Sequence, residues 1–227
     1  ETRVVVALPN AREAKVASPR SIHCAATLRD VVLALRGDGE WLDTSSQETV
    51  QGSSHIADMS DVRGQPTARL AAEIAAAGGH HILFVGSPGA GKTMIAERLP
   101  GLLPALTNEE AVTATMIHSA AGASLPPGGL ISFPPFRAPH HSASMIAMVG
   151  GGSGVLRPGE ASLAHGGVLF LDEVGEFMPS VLDALRQPLE EGEVRIARAS
   201  AGVTLPARFL LVGATNPCPC GGGAPGA

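Results

Sequence analysis

The fold of this chain is decided by HILFVGSPGAGKTMIAERLP, residues 81–100. Its apolar beginning, HILFV, predicts a buried strand, and residues 92–99 predict a helix. The glycine-rich segment between them matches the pattern G-x-x-x-x-G-K-[ST] in the context that the pattern requires, after a strand and at the start of a helix. We interpret this segment as a phosphate-binding loop; the alternative is a chance glycine turn before a helix.

Each residue type in the loop has a chemical role in nucleotide binding. The glycines allow backbone N–H groups to converge on phosphate oxygens, and the start of a helix adds positive potential. Lys92 is predicted to neutralise charge on the β- and γ-phosphates of ATP, and the Thr93 hydroxyl is predicted to bind Mg²⁺. The predicted nucleotide-binding residues of the loop are Gly86, Ser87, Pro88, Gly89, Ala90, Gly91, Lys92 and Thr93.

Two further apolar runs carry polar side chains where they end. The run VLFLDE places Asp172 and Glu173 at the mouth of the predicted sheet, where the ligands of such sheets bind. We expect Asp172 to hold Mg²⁺ through water and Glu173 to orient and polarise the attacking water; the alternative is an acidic helix start. Asn216 ends the run LLVGATN and is predicted to hold that water near the γ-phosphate. With Lys92, these three are the predicted catalytic residues.

Composition limits the function classes that the chain can belong to. Of its 227 residues 44% are apolar and 3% aromatic, which predicts an aliphatic core. The net charge of −5 does not indicate a nucleic-acid binder, but a local basic surface is compatible with it. No apolar run approaches the length of a membrane span, and no signal peptide pattern begins the chain. Three cysteines make no disulfide framework, so we expect a cytoplasmic protein without membrane contact.

The chain divides into two predicted units. Residues 1–40 form a small α/β piece, with a strand in RVVVAL and a helix capped by Thr27 and ended by Gly37. Residues 41–58 are polar and aperiodic and predict a linker. Residues 59–227 form the second unit. The chain begins without Met and ends in GGGAPGA, so we expect it to be a fragment of a longer protein.

The second unit alternates buried strands with helices, which predicts an α/β fold with a parallel sheet covered on both faces. Thr107 and Glu110 have the spacing of a capping box at a helix start. The segment 122–159 is rich in Gly and Pro and predicts no regular element. The other predicted elements are helices at 68–77, 107–122 and 179–190, a hairpin at 193–209 around Ala201–Gly202, and strands at 166–173 and 208–216.

The order of these motifs resembles the AAA+ class of P-loop NTPases. Their amino-acid sequences resemble those of the magnesium chelatase-like ATPases typified by the competence protein ComM. The stretches PFRAPHH and NPCPCG are far more specific to that family than the phosphate-binding loop. Residues 1–40 resemble the closing strand and helix of a Lon-protease-like domain, so residues 59–227 would be an AAA+ core without its lid. The matching stretches are residues 61–104, 134–152, 157–177, 182–199 and 206–221.

The resemblance implies a hexameric ring helicase that promotes branch migration of DNA in natural transformation. ATP with Mg²⁺ would lie between subunits of the homo-oligomer, and single-stranded or branched DNA would be the partner. The arginine finger and the second sensor would follow residue 227, so residues 1–227 alone would be weakly active or inactive. Val62 and Arg63 would lie beside the adenine; a polar turn before a helix is the alternative.

The resemblance also suggests DNA or subunit contacts. Arg137, His140 and His141 would lie in a segment inserted into the second helix of the module and face the ring pore; zinc is a weaker alternative for the histidine pair. Arg195 or Arg198 would face a polynucleotide or the next nucleotide site, unless these are charges that protect an edge strand. Cys218 and Cys220 could supply half of a zinc site, but four ligands are needed, so no bound zinc is expected.

Three other functions share parts of this pattern. Transcriptional activators of the sigma-54 type carry sequence motifs similar to GG-LFLDE and LEEGEVR, but this sequence contains no visible GAFTGA-like loop. A true metal-chelatase subunit would remodel a protein partner, which NPCPCG and the Lon-like beginning disfavour. A nucleotide-gated scaffold is opposed by the intact set of catalytic residues. ATPase activity stimulated by DNA would separate these alternatives.

Overall fold

The computed structural model describes residues 4–17, 22–42, 57–126, 128–152, 156–197 and 202–217. Its helices are α1 (Ala11–Ala17), α2 (Leu28–Arg36), α3 (Pro66–Gly78), α4 (Lys92–Ala96), α5 (Asn108–Ala121), α6 (Met145–Val149), α7 (Glu160–Leu163), α8 (Pro179–Ala184) and α9 (Arg186–Glu191). Its strands are β1 (Val4–Ala7), β2 (Ile22–Ala25), β3 (Ile82–Val85), β4 (Phe136–Arg137), β5 (Gly150–Gly151), β6 (Arg157–Pro158), β7 (Val168–Leu171), β8 (Glu193–Ala197), β9 (Gly202–Pro206) and β10 (Leu210–Thr215).

The second unit is built on a four-stranded sheet of order β3-β10-β7-β4, in which every pair is parallel. The register places Val212 opposite Ile82 on one side and opposite Phe170 on the other. This arrangement confirms the predicted α/β fold with a parallel sheet. Because the carboxyl ends of parallel strands meet at the same edge of a sheet, the residues that follow β3, β7 and β10 are brought together.

Helices cover the sheet on both faces, and side-chain alternation along β7 divides the core in two. Val168 and Phe170 pack into one apolar cluster with residues of α3 and α4, while Leu169 and Leu171 pack into the other with residues of α6, α7 and α8. All four side chains are buried. This explains why β7 is a continuous apolar run, as expected for a strand that is buried on both faces.

The predicted helix ends are confirmed where they depend on capping chemistry. The Thr107 hydroxyl accepts a hydrogen bond from Glu110 N at 3.3 Å, and Glu110 reaches back to Thr107 N at 2.9 Å. The Thr107 hydroxyl also donates to Glu110 Oε2 at 2.7 Å, and this bond, together with the one from Thr107 N, lowers the pKa of the Glu110 carboxyl. Thr27 caps α2 in the same way, and Gly37 ends that helix in the left-handed conformation at φ 83°.

Two predicted helices are shorter than the periodicity indicates. The helix expected at 179–190 is interrupted at Leu185 and forms α8 and α9, because Pro188 has no N–H with which to bond the carbonyl four residues earlier. The helix that starts at Lys92 ends at Ala96 and is followed by the 3₁₀ turn Leu99–Leu102. Pro100 accounts for that ending in the same way.

The predicted hairpin is present as the antiparallel pair β8 and β9, while its turn lies outside the described residues. The segment 122–159, for which the sequence predicted no element, contains β4, α6, β5 and β6. Along the described ranges, no helix combines the length and apolar character that a membrane span needs.

The first unit consists of β1 paired in parallel with β2, together with α1 and α2. Trp41 lies against the His23 ring with centroids 4.7 Å apart, and Leu42 forms a bridge with Cys24. These two residues, which were predicted to begin the linker, therefore pack on the first unit. Residues 43–56 of the predicted linker lie outside the described residues, as do the last ten residues of the chain. Asp58, the last residue of the predicted linker, is described and contacts the second unit, because its carbonyl accepts a hydrogen bond from Arg98 Nε at 3.1 Å.

Candidate active site

The predicted phosphate-binding loop connects β3 to α4. It is anchored by a hydrogen bond from Gly86 N to Thr215 O at 3.2 Å. Gly89 and Gly91 have φ values of 76° and 82°, a left-handed conformation that glycine adopts without the steric cost of a Cβ atom. The loop geometry therefore favours glycine at Gly91, the second glycine of the motif, and at Gly89, which stands at one of its variable positions.

Lys92 lies at the centre of the site. Its Nζ donates hydrogen bonds to Gly86 O at 2.7 Å, Ser87 O at 3.0 Å and Asn216 Oδ1 at 2.9 Å. An ammonium group has three donors, so all three are used. The bond to Asn216 joins residues that are 124 positions apart in the chain, and it brings the loop and the end of β10 together as the sequence predicts.

Thr93 and Asp172 form a second pair across the sheet edge. The Thr93 hydroxyl donates to Asp172 Oδ2 at 3.1 Å, and Glu173 N donates to Asp172 Oδ1 at 3.0 Å. Mg²⁺ prefers oxygen ligands, and a hydroxyl and a carboxylate both supply them. The residues present therefore fit a Mg²⁺ ion that accompanies a nucleotide.

A cavity of about 380 Å³ opens between these groups. Its volume falls within the range of small-molecule sites in proteins, of about 300 to 1,000 Å³. It is lined by Pro88, Gly89, Ala90, Gly91, Lys92, Thr93, Asp172, Glu173, Thr215 and Asn216. The three predicted motifs therefore share one cavity.

Glu173 has an unusual backbone conformation for a residue with a side chain. Its φ and ψ are 53° and 51°, in the left-handed region, which costs about 1–3 kcal/mol when a fold imposes it on a residue other than glycine. Its side chain is half-exposed, and Oε2 lies 3.4 Å from His141 Nδ1. The sequence assigned His141 to DNA or subunit contact and did not predict this neighbour of Glu173.

Arg137 is found in a different structural setting from the one that was expected. It belongs to β4, the strand that pairs with β7, and not to an insertion in a helix. Its Nε and Nη2 donate to the two carboxylate oxygens of Glu160 at 2.6 and 2.8 Å. These hydrogen bonds raise the pKa of the half-buried guanidinium. Contact of Arg137 with DNA stays a prediction.

The histidine pair is compact. The rings of His140 and His141 lie with centroids 4.0 Å apart, and Ser142 N donates to His140 Nδ1 at 3.3 Å. Within the described ranges, no three His, Cys, Asp or Glu side chains lie together where they could hold a metal ion.

The loop predicted to contact adenine lies next to the phosphate-binding loop. Val62 is fully buried, its carbonyl accepts from Arg69 Nη1 at 3.2 Å, and Arg63 is exposed. Gln65 Nε2 donates to Ala90 O at 3.4 Å, which ties the two loops together. Contact with the base stays a prediction.

The basic residues of the hairpin are only partly described. Arg195 is exposed and pairs with Glu191 at 3.2 Å. Arg198, Cys218 and Cys220 lie outside the described residues, so their predicted roles are untested.

Comparison with known proteins identifies the family. Residues 58–225 match the family model described as magnesium chelatase, subunit ChlI. The chain belongs to the magnesium chelatase-like AAA+ family. Competence protein ComM of Haemophilus influenzae is 48% identical over 96% of the chain, and an uncharacterized protein of Mycobacterium tuberculosis is 50% identical over the same share. In both cases the chain spans 43% of the relative's length.

A solved structure of the magnesium chelatase-like AAA+ family has the same fold. The match is to the complex between subunits BchI and BchD of magnesium chelatase, with a TM-score of 0.54 and 26% identity, and it covers 69% of this chain and 54% of the matched one. Together with the ComM relative, this shows that the chain has the AAA+ fold and belongs to the ComM-type members of the family. The resemblance found in the sequence is confirmed.

Proposed function

We propose that the intact protein is a cytoplasmic, ring-forming ATPase that moves on branched or single-stranded DNA during natural transformation and recombination. The observation that carries the ATPase part is the shared cavity at the sheet edge, where Lys92, Thr93, Asp172, Glu173 and Asn216 meet. The site would be completed by an arginine from a neighbouring subunit of a homo-hexamer.

The loop residues would bind and hold the triphosphate. Lys92 exchanges the carbonyl oxygens of Gly86 and Ser87 for β- and γ-phosphate oxygens, which are stronger acceptors because they are charged. Thr93 and Asp172 would hold Mg²⁺, which neutralises charge on the phosphate oxygens when it is bound.

Glu173 and Asn216 would act on water. Glu173 accepts a proton of the water whose oxygen attacks the γ-phosphorus, while the bond from that phosphorus to the β–γ bridging oxygen breaks and ADP leaves. The Asn216 amide, whose Oδ1 accepts a hydrogen bond from Lys92 at 2.9 Å, would keep that water in line with the bond that breaks.

The DNA part of the proposal is supported by the name of a relative and by surface charge. The 48% identical relative from Haemophilus influenzae is a competence protein. Arg195 presents an exposed guanidinium on the β8–β9 hairpin. A second candidate is an ATPase that remodels a protein partner, which is favoured by the family model and by the matched complex of BchI with BchD.

Hydrolysis of ATP by the intact protein should be measured with no DNA, with duplex DNA, with single-stranded DNA and with a four-way junction. We expect the junction or the single strand to stimulate hydrolysis. We also expect branch migration of the junction to depend on ATP. Arg195→Ala should weaken DNA binding and reduce its salt dependence. Arg186→Ala is the matched control, since Arg186 is also exposed and ion-paired with a nearby carboxylate. Hydrolysis that no DNA changes would refute the DNA function and leave an ATPase that remodels a protein partner.

A further inference from the structure

Arg98 fastens the loop of residues 58–65 to the helix that begins with the lysine of the phosphate-binding loop. Its Nε donates to Asp58 O at 3.1 Å, and its Nη2 donates to Asp61 Oδ2 at 3.3 Å. Its Nη1 donates to Met94 O in α4 at 2.8 Å. One guanidinium therefore bridges α4 and a segment that begins 40 positions earlier in the chain.

The bridge is largely shielded from water on the arginine side. The Arg98 side chain is 15% exposed, whereas the Asp61 side chain is 53% exposed. An ion pair with a half-exposed partner contributes little by itself, so the bonds to the two backbone carbonyls matter more. A planar guanidinium presents its donors in a fixed fork and can hold acceptors from separate segments at once. Removing Arg98 should therefore release the beginning of the 58–65 loop from α4.

A second contact ties the far end of the same loop to the phosphate-binding loop. Gln65 Nε2 donates to Ala90 O at 3.4 Å, and Ala90 lines the cavity. Gly64 and Gln65 are both left-handed, at φ 74° and 51°, which turns the chain before α3. A residue other than glycine keeps this conformation where its surroundings impose it, and such residues cluster where ligands are held. The 58–65 loop is thus held at both ends against the segment predicted to bind phosphate.

Between these two ends lie Val62 and Arg63, the residues expected beside adenine. Val62 is fully buried, its N–H donates to Met59 O at 3.1 Å, and its carbonyl accepts from Arg69 Nη1 at 3.2 Å. Arg63, by contrast, is exposed. Val62 therefore anchors the middle of the loop, and Arg63 is the residue that the loop presents. The direction in which it is presented depends on how the two ends of the loop are held.

We propose that Arg98 is a positioning residue for the nucleoside part of ATP, and that it acts by fixing the 58–65 loop to α4. The proposal rests on the proposed function, because it requires that ATP binds in the cavity and that the loop borders its base. Lys92 begins α4 and Arg98 follows its end, so the clamp would set the distance between the base and the phosphates. Loss of Arg98 should weaken binding of a nucleotide and leave binding of a bare polyphosphate unchanged.

The test measures the dissociation constants of ATP and of inorganic tripolyphosphate, each with Mg²⁺, by calorimetry on the intact protein. We expect Arg98→Ala to raise the dissociation constant of ATP about 10-fold, because a released loop must be ordered when the nucleotide binds. The dissociation constant of tripolyphosphate should stay unchanged. The KM for ATP should rise to a similar extent with kcat unchanged, since the described contacts of Arg98 are with Asp58, Asp61 and Met94.

Three more variants grade the effect. Arg98→Lys keeps the charge and loses the fork, so its dissociation constant for ATP should fall between those of wild type and Arg98→Ala. Asp61→Asn removes only the ion pair and should have a smaller effect than Arg98→Ala. Arg186→Ala is the control, because Arg186 is also ion-paired but lies outside the loop and the site, and it should leave both dissociation constants unchanged.

The comparison of the two ligands decides between the proposal and a general structural role. Equal weakening of ATP and tripolyphosphate binding would overturn the proposal, because Arg98 would then support α4 and the phosphate-binding loop. A wild-type dissociation constant for ATP in Arg98→Ala would overturn it as well. If Arg98→Ala does not fold, the same comparison in Arg98→Lys decides. Failure of the wild-type protein to bind either ligand would instead overturn the proposed function.

Discussion

The ion pair between Arg137 and Glu160 gives the clearest test of whether Arg137 is structural. The guanidinium binds both carboxylate oxygens, at 2.6 and 2.8 Å, and the side chains are 33% and 21% exposed. Removing one partner of a fully buried pair costs about 3–5 kcal/mol, whereas an exposed pair contributes about 0–1 kcal/mol. For this half-buried, two-pronged pair we expect Arg137→Ala to lower the free energy of unfolding by about 2 kcal/mol.

A double-mutant cycle measured by urea unfolding isolates the pair. The cycle compares Arg137→Ala, Glu160→Ala and the double variant, and we expect a coupling energy of about 1 kcal/mol or more. Arg137→Lys should fall between wild type and Ala, because an ammonium keeps the charge and loses the fork that binds both oxygens. A coupling energy near zero, together with weaker DNA binding in Arg137→Ala, would refute the structural role and support the DNA contact that the sequence indicated.

Three further variants test other parts of the account. Lys92→Ala should weaken ATP binding about 100-fold or more in calorimetry, since an interaction of about 3 kcal/mol or more with phosphate is lost. The variant should keep the wild-type melting temperature. Unchanged affinity for ATP would exclude the loop as the phosphate site. Gly167→Ala should lower the free energy of unfolding by about 1–3 kcal/mol, because its methyl group would collide with the Pro135 carbonyl. The control Gly175→Ala places its methyl group in open space and should leave the free energy of unfolding unchanged. Equal effects of the two substitutions would contradict the close approach of Gly167 to Pro135. Burial lowers the pKa of His118 below its ordinary value of 6.5, so the stability from its neutral form is fully present above about pH 6.5 and is lost as the pH falls from there through the lowered pKa. Urea unfolding of His118→Gln should therefore show a weaker pH dependence over that range, and identical profiles would refute the assignment.

The sequence predicted the parts of the site that lie on long, apolar strands. Lys92, Asp172 and Asn216 follow β3, β7 and β10, and parallel strands necessarily bring their carboxyl ends to one edge. Their convergence could be predicted because it depends on strand order and periodicity alone.

The contact of His141 with Glu173 could not be predicted, because it does not depend on strands long enough to show periodicity. It depends on β4, a strand of two residues that follows Pro134 and Pro135 and is too short to show any periodicity. Once β4 is known to pair with β7, a residue shortly after it is expected near Glu173. The interruption at Leu185 was missed because apolar spacing continues through it, although Pro188 signalled a break.

The central claim is that the cavity at the sheet edge hydrolyses ATP and that Glu173 acts on the attacking water. The most direct test is to measure ATP binding and ATP hydrolysis in parallel for the intact wild-type protein and for Glu173→Gln, which keeps the shape of the side chain and removes its charge. We predict equal ATP dissociation constants and a hydrolysis rate that falls about 100-fold or more, the upper part of the range for a lost general base. Equal hydrolysis rates in the two proteins would contradict the account.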